Sequence, residues 1–334
     1  MIASAACVVA EGGEPVDNSV AAMPREPGAA PFFRLRVVLF FAASAIGRSV
    51  GNAGTYDAVR AAAIFAPVNA YEIRPLGTHR EREACVELQR ETWGREFTEL
   101  VPPSLLYAVQ KIGGVVAGAF DPAGRLLGFV FGFTGTEDGK LVHWSDMVAV
   151  RAEAQGRGIG PALKAYQREA VLRLGVTVMY WTCDPLVSKN AHLNLNHYGV
   201  RVVEYVRDLY GSETHSVLHR GVGTDRFVVA WPLDRVVPQP EPAALLREAP
   251  IVNPRTEAGE PGDPERFAAA PPPALRIEIP EDIAQVQAAS LDLAGRWRAT
   301  TRRAFLWCLS HGYSVAGFAR DAAAGRGYYL LERA

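Results

Sequence analysis

The densest chemistry in this chain lies in Gln155-Gly156-Arg157-Gly158-Ile159-Gly160. Glycines at this spacing let successive backbone N–H groups turn inward with no Cβ in the way. The run sits between a strand-like segment, His143 to Val150, and a helical one, Pro161 to Leu174. Pro161 suits a first helical position, where its missing N–H costs nothing. A loop that opens into a helix N-terminus presents unpaired donors and partial positive charge, so this segment is built to hold a phosphate. Two familiar phosphate loops do not fit. A nucleoside-triphosphate loop needs Lys and then Ser or Thr after its last glycine, where this chain has Pro161 and Ala162. A dinucleotide fold needs G-x-G-x-x-G directly after its strand, whereas the glycines here run G-x-G-x-G behind several polar residues.

A third loop, Q/R-x-x-G-x-G/A, is met at every defined position by Gln155, Gly158 and Gly160. Here the chain resembles the GNAT superfamily of acyl-CoA-dependent acyltransferases. The flanks extend the likeness. Trp144 to Val150 reads as the strand before the loop, and Val176 to Thr182 as the buried strand after it, rich in β-branched and aromatic residues. Ser188 to Tyr198 reads as the next helix, stopped by Gly199. The resemblance runs from about Tyr71 to about Leu233 and is nearest a little-characterised branch. That branch carries Trp-Thr-x-Asp-Pro-Leu (here Trp181 to Leu186), Asn-Ala-His-x-Asn (Asn190 to Asn194) and Asp225-Arg226 before a terminal strand.

The resemblance implies transfer of an acetyl or other short acyl group from acyl-CoA to the amine of a small molecule, by direct attack in a ternary complex. It implies that Met147, Val148 and Val150 pair with the pantetheine arm. Gln155, Gly156, Arg157, Gly158, Ile159 and Gly160 would hold the pyrophosphate, with Asn190 added to the cofactor-binding set. A backbone N–H near Met147 or Val148 is the expected oxyanion donor. Relatives carry a proton-donating tyrosine four positions before the helix-ending glycine, and this chain has Leu195 there. His192 and Tyr198, a helical turn to either side, are substitutes, as is Asn194 by hydrogen bonding. His143 and Asp146 are the candidate bases. Strand alternation puts Ser145 with His143 on one face and Trp144 with Asp146 on the other, unless a bulge intervenes. Asp184 is either a turn residue or a ligand contact at a strand end, and Cys183 reads as a small packed residue. The missing tyrosine keeps a second reading open, a catalytically inactive CoA-binding regulatory or scaffold protein.

The elements that must position these residues span much of a 334-residue chain, long enough for two domains. Charged residues make up 21% and hydrophobic ones 49%, as in a globular protein with a substantial core, and the net charge of −1 gives no basis for a nucleic-acid partner. Cys7, Cys85, Cys183 and Cys308 show no C-x-x-C spacing, which argues against a zinc site and suits a reducing cytoplasm. Residues 1–70 read as a poorly ordered extension. Its apolar run, Val37 to Ile46, is shorter than the about 20 residues that cross a bilayer, so no membrane partner is expected. Residues 71–235 form the acyl-CoA-binding domain: a mixed α/β unit whose largely antiparallel sheet is flanked by helices. Residues 236–273 read as a Pro-rich linker. Residues 274–334 read as a small α+β module, marginal alone, that docks on the main domain or on a second copy of the chain. Trp297, Phe305 and Trp307 are its expected anchors, and Arg296, Arg298, Arg302 and Arg303 read as a solvated helix face, with contact to an anion as the alternative.

Overall fold

A computed structural model describes residues 21–22, 71–211, 215–216, 221–235, 247–256, 260–262, 264, 271–321 and 323–333. The apolar run 37–46, nearly all of the extension and much of the 236–273 segment lie outside the described residues.

The first helix shows how local chemistry sets a boundary. The Thr78 hydroxyl accepts from Glu81 N (3.2 Å), and the Glu81 carboxylate accepts from Thr78 N (3.0 Å). This reciprocal cap starts α1 (His79–Trp93), which buries Cys85 and Leu88 against the sheet. Pro103 in the first turn starts α2 (Pro103–Lys111). Asp121 caps the turn between β3 (Val115–Phe120) and β4 (Leu126–Glu137), its Oδ1 accepting from Ala123 N and Arg125 N.

The main sheet also contains β1 (Ala21–Ala22), β2 (Glu72–Pro75), β5 (Lys140–Val150), β6 (Val178–Cys183), β7 (Arg201–Val206) and β8 (Arg226–Pro232). Its order is β1-β7-β8-β6-β5-β4-β3-β2. Every adjacent pair is antiparallel except β5 and β6, which are parallel. This is the mixed, largely antiparallel, helix-flanked sheet that the sequence leads one to expect. The glycine-rich loop leads into α3 (Ile159–Leu172).

Two irregularities shape the middle of the sheet. First, β5 and β6 pair only at His143↔Met179 and Trp144↔Tyr180. Beyond that point the two strands part, leaving a wedge. Second, the β4–β5 register shifts between Phe131↔Met147 and Gly132↔Ser145, so Asp146 is an extra residue, a β-bulge. The bulge reverses the alternation. Ser145 faces α3 with His143, while Met147 and Ala149 join Phe129 and Phe131 in the core beneath α1 and α2.

After β6 the chain forms α4 (Ser188–Ala191), which passes directly into a π-helix (His192–Tyr198), ended by Gly199 at φ 63°. A single helix was expected here. The wider π turn changes which residues share a face. The C-terminal region holds β9 (Ala274–Pro280), α5 (Ile283–Ala289), α6 (Leu291–Ser310), β10 (Tyr313–Asp321) and β11 (Arg326–Arg333). Its small sheet has the order β10-β11-β9. The described part of the expected linker is not free of the fold. Val252 N donates to Arg276 O (2.8 Å), and Asn253 bonds the backbone of Glu278 on both sides.

The C-terminal module docks on its own chain. On α6, Trp297 and Phe305 are fully buried, and Phe305 meets Phe227 (4.9 Å between centroids) and Tyr205 (5.6 Å). Trp307 is half-buried, packed against the same core and stacked on His311. Two of the four arginines read as a solvated face are inside this seam. Arg298 grips Asp184 with two 2.7 Å bonds, and Arg302 bonds Asp225 (2.5 and 2.8 Å). Arg296 stays exposed, as a solvated face requires, and pairs with Glu260 and Asp292.

Candidate active site

The loop after β5 is shaped by two left-handed glycines. Gly156 has φ 78° and Gly158 has φ 76°, and no atom lies within 4 Å of where a Cβ would stand on either. Gly158 is the N-cap of α3 and no side chain caps that end. The first bond along the helix is Ala162 N to Gly158 O, so the amides of Ile159 and Gly160 are left without intrahelical acceptors. Beside them the Arg157 Nε is buried without a hydrogen-bond partner. Free amides, an orphaned guanidinium N–H and a helix N-terminus, with open space before them, form a donor set of the kind that suits a diphosphate. Gln155 is used differently: its side-chain amide donates to Val150 O (3.1 Å) and ties the loop to the end of β5.

The wedge lies directly before this loop. Past Trp144 and Tyr180, residues Ser145 to Val150 have no β6 partner, and Trp181 to Cys183 have none on β5. Met147 is buried, Val150 half-buried, and Val148 exposed at 36%. An extended arm laid between the strands would find strand-edge amides and carbonyls there.

On the α3 side a chain of polar groups runs through the interior. Lys164 Nζ donates to Ser145 Oγ (2.7 Å), and Ser145 Oγ donates to Gln167 Oε1 (2.8 Å). Gln167 Nε2 meets His143 Nε2 (3.0 Å), His143 Nδ1 meets Thr134 Oγ1 (3.0 Å), and Thr134 Oγ1 donates to Gly113 O (3.0 Å). One assignment satisfies every link, with His143 neutral and protonated on Nδ1. Burial, with Lys164 adding to it, pulls His143 down to about 3. The structure therefore places this candidate base in the interior with both ring nitrogens engaged. Gly132 permits the arrangement, since a Cβ there would stand 2.5 Å from His143 Nε2.

Asp146 sits at the bulge with its edge in solvent. It is nevertheless desolvated enough that its carboxyl is raised; Glu99 adds to the rise, and a hydrogen bond from Trp144 opposes it. A carboxylate so raised is suited to taking a proton from an amine.

The helix after β6 brings its candidates to different places. His192 is exposed and meets Asn196 (3.1 Å), which donates to Phe318 O on β10 (2.7 Å). Asn194 is buried and bonds the Cys183 thiol, which burial pushes up to about 12. Tyr198 is half-buried against Trp181 and Trp231, with centroids at 6.2 and 5.0 Å; burial raises its hydroxyl. Leu195 packs on the same core as Tyr198. Asn190 is exposed. The shared face expected of His192, Leu195 and Tyr198 is therefore kept only by the last two. Asp184, besides holding Arg298, accepts from Leu186 N (2.8 Å) as a turn residue does.

Sequence reasoning missed Lys164 and its partners Ser145 and Gln167. The signal was present: Ile159, Leu163, Gln167 and Val171 repeat every four residues and mark the buried stripe of α3, beside which Lys164 falls. Among the described residues there is no cluster able to hold a metal ion and no helix long and apolar enough to cross a membrane.

No protein-family model matches the chain, and no curated protein does. Solved structures of N-acetyltransferases do match, over about half of it. One, an Escherichia coli enzyme for an alanine of a ribosomal protein, is 15% identical. It covers 50% of this chain and 97% of its own, with a TM-score of 0.38. A Salmonella typhimurium protein described as an acetyltransferase, solved with its cofactor acetyl-CoA, is 19% identical; the match covers 52% of this chain and 99% of that one, at a TM-score of 0.38. An aminoglycoside 6'-acetyltransferase is 16% identical over 51% of this chain and 99% of its own, at a TM-score of 0.39.

Proposed function

We propose that this chain is an acyl-CoA-dependent N-acyltransferase of the GNAT type, moving an acetyl or other short acyl group to the amine of a small molecule. The observation that carries the reading is the uncapped N-terminus of α3, with two left-handed glycines and an orphaned Arg157 N–H, placed at the mouth of the β5–β6 wedge. Acyl-CoA, when bound, supplies the activated carbonyl. The chain's own groups do the rest. Amides of residues 156–160 hold the diphosphate, and the free β5 edge at Met147, Val148 and Val150 aligns the pantetheine arm. An amide near the bulge polarises the carbonyl oxygen, and Asp146 receives the amine proton. The described cysteines Cys85, Cys183 and Cys308 are free, which suits the cytoplasmic setting proposed for it.

Calorimetric titration of coenzyme A tests the loop. Gly158→Glu places a carboxylate where the diphosphate would lie and should weaken binding by about a hundredfold or more, near 3 kcal/mol. Gly175→Glu is the control. Gly175 is also left-handed (φ 85°) with open space around its missing Cβ, so it carries the same backbone strain of about 1–2 kcal/mol away from the loop. Equal affinity in the two variants would refute the assignment.

Leu195 at the usual tyrosine position favours a second reading, a CoA-binding protein without turnover. Thiol release from acetyl-CoA over a panel of amines separates the two. Tight binding with no release on any amine supports the second.

A further inference from the structure

The chain has 35 lysines and arginines, and its lysines are Lys111, Lys140, Lys164 and Lys189. Lys111, Lys140 and Lys189 are exposed, while Lys164 on α3 is buried. Taking an ammonium out of water is unfavourable unless a carboxylate or several acceptors replace its hydration. Among the described residues no carboxylate lies within ion-pair distance of Lys164. Its Nζ has Ser145 Oγ at 2.7 Å and the Trp181 ring centre at 3.9 Å. An ammonium has three N–H donors, so one is left over. A residue serving only to fill the core here would be apolar, as Leu163 beside it is.

Its place in the fold gives that spare donor a purpose. Ser145 and Trp181 are the first residues beyond the last β5–β6 pair, Trp144↔Tyr180. The amine therefore stands at the apex of the wedge on the α3 side, while Asp146 leaves β5 at its bulge. Asp146 is affected by Glu99, which lies between α1 and α2, and so serves the other side of the sheet.

We propose that Lys164 is the proton donor to the departing sulfur, filling the role left vacant at Leu195, an assignment that rests on the acyl-CoA reading of the wedge. The amine nitrogen bonds to the thioester carbonyl carbon, and the C–S bond breaks with its electron pair going to sulfur. Lys164 passes one proton to that sulfur, which leaves as the free thiol. The nitrogen gives one proton to Asp146 and thence to solvent, and the Lys164 amine recovers one from solvent. The exchange balances without an oxidant or reductant. Burial lowers the Lys164 amine to about 7, so both its forms are populated near neutrality. His143 on β5, which feels the Lys164 charge, and Tyr198 on the π-helix across Trp181 are neutral there, while Arg168, one turn along α3, lies over the next ring, Trp231.

The test needs no acceptor. Coenzyme A is bound to the wild-type chain and to Lys164→Met, and the bound thiol is titrated by its thiolate absorbance. At a pH that keeps the thiol protonated both proteins should bind equally, and the bound thiol should ionise about one pH unit lower in the wild type. Equal titration in the two overturns the proposal. Coenzyme A that fails to bind the wild type overturns the acyl-CoA reading, and the proposal with it. Should Lys164→Met not fold, carbon-13-labelled lysine in the wild type gives the same answer, since so few lysines are easily resolved. Coenzyme A should raise the Lys164 midpoint and desulfo-coenzyme A should not; an equal response to both overturns the proposal.

Discussion

His143 shows how a single buried ring ties stability to pH. Its folded value is about 3 against an ordinary 6.5, because burial penalises the charged form and Lys164 adds repulsion. Between those values the unfolded chain binds a proton that the folded chain refuses. Stability from this group is therefore whole above pH 6.5 and drains away toward pH 3. At 1.36 kcal/mol per unit, the loss between pH 7 and 4.5 is up to about 3 kcal/mol. Denaturant unfolding at the two pH values should show it, and His143→Gln should flatten the difference; an unchanged slope in that variant would mean another group dominates. Lys164 acts in a different window. Its folded value of about 7 lies below its ordinary 10.5, so stability rises as the pH climbs from 7 to 10.5. Sequence alone marked His143 as a candidate base, but not the direction in which it points. That is set by Thr134 and Gln167, on two other elements. The one-residue bulge at Asp146, which carries no local sequence mark, then fixes which strand residues share its face.

At the scale of elements, the motifs that carried the family resemblance build the seam to the C-terminal module. Asp184 of the Trp-Thr-x-Asp-Pro-Leu segment is held by Arg298, 114 residues later in the chain. Pro185 O accepts from Tyr329 Oη (2.8 Å), and Ser188, just before Asn190, donates to Glu281 (3.2 Å). Asp225 gathers Arg302 and the Tyr205 hydroxyl (2.5 Å). Burial pushes the Asp225 carboxyl up, but Arg302, Tyr205 and Arg298 outweigh it and leave it below the ordinary value. Its contribution is therefore present above the unfolded carboxylate range and lost as pH falls through the folded value. Removing one partner of a buried pair leaves an uncompensated charge, at about 3–5 kcal/mol. Arg298→Ala should lose up to that much in a thermal or denaturant melt, since Arg226 stays 3.4 Å from Asp184, whereas Arg296→Ala, a surface arginine whose partners are 40% and 80% exposed, should change stability by about 0.5 kcal/mol or less. Similar losses in both would mean that α6 is held by its apolar face alone. The glycine loop was legible because its meaning is local: turn, amide and helix start lie within six residues. The seam was not, because an arginine on a helix reads the same whether it faces water or a carboxylate on another element.

The whole molecule follows from those two scales. One hydrophobic cluster runs from α3 and the main sheet (Leu163, Phe227, Val229) into the C-terminal module (Leu275, Ile277, Phe305, Leu331). A module this small is marginal alone, and here its core is the continuation of another. The dependence runs the other way too. Without residues 274–334, Tyr205 and Phe227 would face water, and Asp184 and Asp225 would lose Arg298 and Arg302. A contiguous apolar patch of that kind drives association. A chain ending at 235 should therefore bind a hydrophobic dye, elute as aggregates in size-exclusion chromatography and lack a cooperative melt. Supplying 274–334 as a separate chain should restore both solubility and the transition. A truncated chain that melts cooperatively and binds no dye would show that the shared core is dispensable, and would make the β5–β6 wedge, which lies wholly within 140–183, the property of an independent unit.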